Sequence, residues 1–302
     1  MGGPDNEQDT YRRTTKLLYA HTRDLWQFWL RYKKNRIAVI GLAIFISLIF
    51  VAVLAPFLSP SNPYEMRLEL KYRMLAPSWE HLMGTDYFGR DVFSRVIWGT
   101  RISLFIGFAC AGISALVGIF LGSIAGYFGG KLGSLIDRVL EIFLVIPRFF
   151  LILIIVAVFG GSIWNVMVII GLTIWPSTAR LVRAEFLSLK EWDFVMAARS
   201  TGASDVYIIF REILPNALHT AIVNGSLQVA AAILTEASLS FLGLGDPNVV
   251  SWGWILNEAL RSFRNAPWVG IFPGLAISLT VMAFNLIGDG LNDALNPHLK
   301  ER

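Results

Sequence analysis

Five stretches of this chain contain no Asp, Glu, Lys or Arg: Ile37–Tyr64, Ile102–Gly130, Phe149–Ala179, Ile213–Thr235 and Asn265–Gly288. Each exceeds the ~20 apolar residues that carry a helix across a ~30 Å hydrocarbon layer. A core helix of a soluble protein keeps one charged face toward water, and these runs have no such face. Charged residues make up 16% of the 302, against about 25% in an ordinary soluble domain. The pattern therefore predicts a polytopic α-helical membrane protein. The first run begins at Ile37, too late and too long for a cleaved secretory signal, and is expected to remain as an anchor.

The Phe149–Ala179 run is too long for one crossing, and Gly160-Gly161-Ser162 divides it. Two helices are expected there, Leu135–Phe159 and Ile163–Leu181, joined by a glycine turn, for a total of six. Lys and Arg in short loops mark the cytoplasmic side. Arg12, Arg13, Lys16, Arg23, Arg31, Lys33, Lys34 and Arg36 precede the first span, and Arg183, Lys190, Arg199 and Arg211 lie between the fourth and fifth. Both segments, and both termini, are thus expected inside. One segment strains the rule. Residues 59–101 should face outward yet contain Arg67, Lys71, Arg73, Arg90, Arg95 and Arg101.

The expected organisation follows: a cytoplasmic segment over residues 1–36, a first span at 37–58, an extracytoplasmic loop with a surface helix at 59–101, five further spans within 102–291, and a cytoplasmic tail at 292–302. In the first segment Leu25, Phe28, Trp29 and Tyr32 recur at helical spacing among cations, the pattern of an interfacial helix facing anionic lipid. In the outward loop Thr85 or Asp86 is expected to cap a helix, with Asp91 and Arg95 paired at i, i+4. In the second span Gly118, Gly122 and Gly126 form a small-residue stripe that admits a close neighbour.

No catalytic set is legible. Gly129-Gly130-Lys131-Leu132 lacks the Ser or Thr that a phosphate-binding loop places on magnesium. His21, His81, His219 and His298 have no metal-ligand spacing. Cys110 is alone, so neither an internal disulfide nor a zinc cluster can form. No nucleic-acid partner is expected, and an energy source must come from another chain, or there is none.

Glu141 and Arg148, seven positions apart, are expected on one face of the third span, either as a transport-linked pair or as a packing acid and a snorkelling cation. In the fifth span Asn224, Gln228 and Thr235 share one face. With Asn285 of the sixth they are candidates for lining a translocation path, the alternative being hydrogen bonds between helices.

The most informative stretch is the loop at 185–215. Asp193 and Phe194 open a short helix containing Ala197 and Ala198, Gly202-Ala203 breaks it, and a second helix is expected to stop at Leu214-Pro215. The alanine pair, the glycine four residues on and the Ile213-Leu214-Pro215 ending resemble the cytoplasmic coupling loop of ABC importer permeases, with Met196 where that family carries glutamate. His81–Arg95, Gly99–Leu104, Glu236–Gly245, Ser251-Trp252-Gly253, Ala266-Pro267-Trp268 and Phe284–Pro297 are similar to segments of C-type dipeptide/oligopeptide permease subunits. Gly245-Asp246-Pro247 departs from that pattern, as does Asn296.

The resemblance implies the type I importer permease fold, an all-α membrane protein with six transmembrane helices and an N-terminal interfacial helix in the cytoplasmic (inner) membrane. It implies a homologous second permease as heterodimer partner, two ATPase subunits that bind ATP and Mg (none in this chain), an extracytoplasmic substrate-binding protein and a peptide substrate. Relatives with the same signature import nickel, glutathione, antimicrobial peptides or oligosaccharides. A carrier of another class, driven by ions, would show inverted repeats and several deep charges; no repeat is evident.

Overall fold

The computed structural model describes residues 26–295. After a helical stretch over 26–32, the bundle consists of α1 (Arg36–Leu58), α2 (Val92–Phe128), α3 (Gly130–Val145), α4 (Arg148–Phe159), α5 (Ile163–Leu189), α6 (Asp193–Ser200), α7 (Leu214–Phe241), α8 (Trp252–Ala259) and α9 (Trp268–Leu295). Five helices are long and apolar enough to cross a membrane: α1, α2, α5, α9 and the continuous Asp205–Phe241 that ends in α7. The pair α3 and α4 completes a sixth crossing if taken together.

The centre of the bundle is α2, α5 and α7. The first and last helices, α1 and α9, pack on each other and on one side of this core, and α3 and α4 flank the other side. Gly118, Gly122 and Gly126 of α2 all face α5. A Cβ at Gly122 would stand 2.5 Å from the Ala179 carbonyl oxygen, and one at Gly126 would stand 2.5 Å from Phe186 Cβ. Membrane helices lack a hydrophobic drive toward each other, so such close backbone contact is a principal source of their attraction.

Three local expectations differ from the structure. The helix expected over Leu135–Phe159 breaks at Ile146-Pro147 into α3 and α4, bent by 87°. Proline drives the preceding residue out of the helical region, and Ile146 is extended, with φ −79° and ψ 125°. Glu141 and Arg148 therefore lie on separate helices and share no face.

The surface helix expected within 59–101 is not separate, because the 37-residue α2 begins at Val92 and continues through the second span. At 1.5 Å per residue α2 is about 55 Å long, well beyond a ~30 Å hydrocarbon layer.

The helix expected to stop at Pro215 also continues. Residues Ile208–Ile213 widen into a π-turn, with Leu214 N–H reaching Ile209 O. A proline inside a regular helix collides with the carbonyl four residues back, and the wider turn accommodates it.

Residues 26–32 are helical, with Trp26 and Trp29 exposed, but Tyr32 is buried and donates from Oη to Ala38 O at 3.1 Å. Leu25 and the cations before it lie outside the described residues, as does Asn296. Asn35 caps α1 and also donates to Asp293 Oδ2 at 2.9 Å, joining α1 to α9.

Candidate functional site

The loop between α5 and α7 is a short helix held on the ends of the three central helices. Beneath it, Val195, Ile208, Ile209 and Ile213 are buried against Val182 and Phe186 of α5, with Phe194, Ala198, Ala203 and Leu214 packed around them. Tyr127, at the end of α2, donates to Asp205 Oδ1 at 2.6 Å, and the Arg199 guanidinium sits over its ring at 5.6 Å. On the flank of the loop, Thr220 Oγ1 donates to Glu185 Oε1 at 2.8 Å and links α7 to α5.

The end of α6 is built by Gly202. Its φ of +79° is left-handed, a region open to glycine at little cost. Ala203 N–H bonds Ala198 O at 3.1 Å, and Gly202 N–H bonds Arg199 O at 3.0 Å. These are the two reversed bonds of a Schellman cap, which satisfy the last carbonyls of a helix and turn the chain sharply. A Cβ on Gly202 would meet open space, so the requirement for glycine is one of backbone conformation.

Above the packed side the loop is open. Phe194, Ala197, Ala198, Thr201, Gly202, Ala203, Ser204, Tyr207 and Glu212 line a surface groove of about 580 Å³. Asp193, Met196, Ala197 and Pro215 are exposed. The structure thus brings Phe194, Ala197, Ala198, Gly202 and Ala203 to one rim. Leu214 is turned into the packing beneath, and Asp193 and Pro215 lie at the margins.

The candidate path residues are not gathered in one place. Asn224 Nδ2 donates to Thr178 Oγ1 at 2.8 Å, and Gln228 Nε2 donates to Ser177 Oγ at 2.6 Å, both bonds joining α7 to α5. Thr235 donates to its own helix at Ala231 O, 2.7 Å away, and Asn285 is exposed on α9. Asn224 and Gln228 are thus engaged in the interhelical bonds named as their alternative role. Such bonds are worth about 0.6 kcal/mol on average inside membrane proteins. Replacing both residues by Leu is expected to lower thermal stability of the purified protein by about 1 kcal/mol in total, with transport per folded molecule reduced less than twofold. A large transport loss at unchanged stability would assign both residues to a path.

Sequence reasoning missed a charged cluster at the opposite end of α2. Asp86 Oδ2 accepts from Arg90 Nε at 2.6 Å and Arg95 Nη1 at 2.7 Å, while Glu258 Oε2 of α8 lies 2.8 Å from Arg90 Nη2 and 2.6 Å from Arg95 Nη1. Asp86, Arg90 and Arg95 are buried. Arg95 therefore pairs with Asp86 and Glu258, and not with Asp91 as expected. The capping residue is Asp91, whose Oδ2 accepts Ser94 N–H at 2.8 Å and whose Oδ1 lies 2.9 Å from His81 Nδ1. The available signal was the excess of arginines that strained the charge rule. Two of them are internal structural cations and not loop charges.

A bundle of membrane-length helices that presents a short helix on the shared ends of its central members, and that superposes on a chain of a methionine ABC transporter, has the type I ABC importer permease fold. Residues 118–301 match the family described as binding-protein-dependent transport system inner membrane component, and residues 24–77 match the N-terminal TM domain of oligopeptide transport permease C. The dipeptide transport system permease protein DppC of Alkalihalophilus pseudofirmus is 43% identical over 89% of this chain and 88% of its own. The glutathione transport system permease protein GsiD of Pectobacterium atrosepticum is 42% identical over 91% of each. Among solved structures, a chain of the MetNI methionine ABC transporter superposes with a TM-score of 0.55 at 19% identity, over 67% of this chain and 96% of that one. The chain belongs to the binding-protein-dependent transport system inner membrane component family.

Proposed function

We propose that this chain is one of two homologous permease subunits of an ATP-driven importer of dipeptides or oligopeptides. A substrate-binding protein delivers the peptide from outside, and two ATPase subunits holding ATP and Mg dock on the cytoplasmic loop. The assembly sits in the inner membrane with both termini of this chain in the cytoplasm.

The observation that carries this reading is the α6 knob. Its rim, with Ala197 and Gly202 exposed and Phe194, Ala198 and Ala203 half-buried beside them, offers a partner a mostly small-residue surface along a groove. Its buried side is continuous with α2, α5 and α7. A push on the rim is transmitted to all three central helices, because packed cores move as units between discrete arrangements. Binding of ATP by the partners then biases a two-state equilibrium of the bundle. Peptide is favoured as substrate by the 43% identical dipeptide permease over nearly the whole chain. Glutathione, itself a small peptide, is the second choice because the glutathione permease is 42% identical.

The reading is tested by co-expressing the chain with a second permease, ATPase subunits and a binding protein of the same importer class from its own organism and reconstituting the complex in proteoliposomes. Dipeptide is expected to stimulate ATP hydrolysis and to accumulate inside in an ATP-dependent manner. Accumulation without any ATPase present would instead indicate an ion-driven carrier.

A further inference from the structure

Glu236 lies near the end of α7 remote from Gly202 and is 3% exposed. Its Oε1 accepts hydrogen bonds from Ser240 Oγ at 2.7 Å and Ser251 Oγ at 2.8 Å. Its Oε2 is buried and has no hydrogen-bond partner among the described residues. No Lys, Arg or His of the described residues forms an ion pair with it. The carboxyl borders a cavity of about 10 Å³, room for the centre of one water-sized particle. The cavity sits where α2, α5, α7 and the connection from α7 to α8 meet, and Ser240, Asp246 and Ser251 supply the rest of its polar lining.

The second carboxylate there, Asp246, is already compensated. Its Oδ2 accepts Ile163 N–H at 3.2 Å, and its Oδ1 accepts Asn248 N–H at 3.0 Å. Ile163 is the first residue of α5, and a helix N-terminus carries partial positive charge. Glu236 has no such support, and a buried carboxyl group either holds a proton or takes a counter-charge or a bound ion. The polar side chains of the lining, Glu236, Ser240, Asp246 and Ser251, all present oxygen, which favours hard cations, and Ile106, Ile163, Val166 and Val249 close the rest of the wall. One carboxyl oxygen without a partner and one water-sized space suit a small monovalent ion in place of a proton.

We propose that this pocket binds a single monovalent cation of sodium's size at Glu236 Oε2, with Ser240, Ser251 and Asp246 supplying neighbouring oxygens. The ion ties the end of α7 farthest from the coupling loop to α5 and α8. It acts as a clamp and is not itself transported.

The test reads ion binding and not peptide uptake, so its failure would leave the peptide assignment as it stands. Thermal unfolding of the purified importer complex is followed at constant ionic strength while choline chloride is replaced stepwise by sodium chloride. A ligand that binds only the folded state raises the midpoint with its concentration. The wild type is expected to gain several degrees along a saturable curve, and Glu236→Gln is expected to show no difference between the two salts. A wild-type midpoint equal in sodium and choline, or a sodium-dependent rise undiminished in Glu236→Gln, overturns the proposal in favour of a water molecule or a neutral acid at this position. If Glu236→Gln does not accumulate, Ser240→Ala takes its place. It is expected to raise the half-saturating sodium concentration about tenfold, which is 1.4 kcal/mol, and an unchanged value is the overturning result.

Discussion

Valine at position 202 is expected to leave the permease inserted and folded but to reduce ATP-coupled uptake about tenfold, while basal ATP hydrolysis by the assembled complex persists. The left-handed φ of +79° at Gly202 costs a β-branched residue about 1–2 kcal/mol. The space beyond its Cα is empty, so nothing within the chain is displaced. The strain falls on the Schellman cap that aims Ala198 and Ala203. If the loop relaxes to a right-handed turn, the rim of α6 no longer matches its partner, and 1.4 kcal/mol is a tenfold loss of the docked arrangement. Alanine at the same position, unbranched at Cβ and so at the lower end of that cost, about 1 kcal/mol, is expected to give an intermediate defect of about fivefold. The measurement is the ratio of peptide transported to ATP hydrolysed in proteoliposomes. An unchanged ratio for the valine variant would remove the docking role from this turn.

The break at Gly202 was legible because it is local, a glycine following a short helical run. Span positions were legible for a similar reason, since charge-free runs report directly on the hydrocarbon layer. What escaped depended on partners distant in sequence, or on competition between rules. The i, i+4 rule assigned Asp91 to Arg95, but the Asp91 carboxylate is taken by Ser94 and His81. Arg95 is held instead by Asp86, nine positions back, and by Glu258 across the bundle, which also takes Arg90 from 168 positions away. Hydropathy likewise favours a straight crossing through Leu135–Phe159, although Pro147 bends it by 87°. The polar stripe of Asn224 and Gln228 was visible as a stripe, but only the placement of Thr178 and Ser177 decides that it faces α5.

Removing Asp86 is expected to be the most destabilising single change outside the spans. Its carboxylate serves Arg90 and Arg95 through Oδ2, and it accepts Phe88 N–H at 2.8 Å and Arg90 N–H at 2.9 Å through Oδ1. With Glu258 the four side chains balance two positive charges against two negative. Asp86→Ala leaves both guanidiniums sharing Glu258, and an uncompensated buried charge costs about 3–5 kcal/mol. That is a large fraction of the 5–15 kcal/mol that typically separates folded from unfolded. The variant is expected to be lost from membranes, or to melt far below wild type in detergent.

The exposed pairs nearby make the control. Glu65 and Arg67 are 3.5 Å apart with side chains 51% and 42% exposed, and Glu65→Ala is expected to change stability by less than about 1 kcal/mol. A second substitution separates charge balance from lost packing. Asp86→Ala combined with Arg90→Ala restores one cation facing one anion, Arg95 on Glu258, and is expected to recover part of the loss, giving a coupling energy of about 1–3 kcal/mol in a double-mutant cycle. If the double variant is as unstable as the sum of the two single ones, the four residues do not act as a charge-balanced unit. The start of α2 would then be held to α8 mainly by Trp252, which is buried and donates from Nε1 to Val96 O at 3.0 Å.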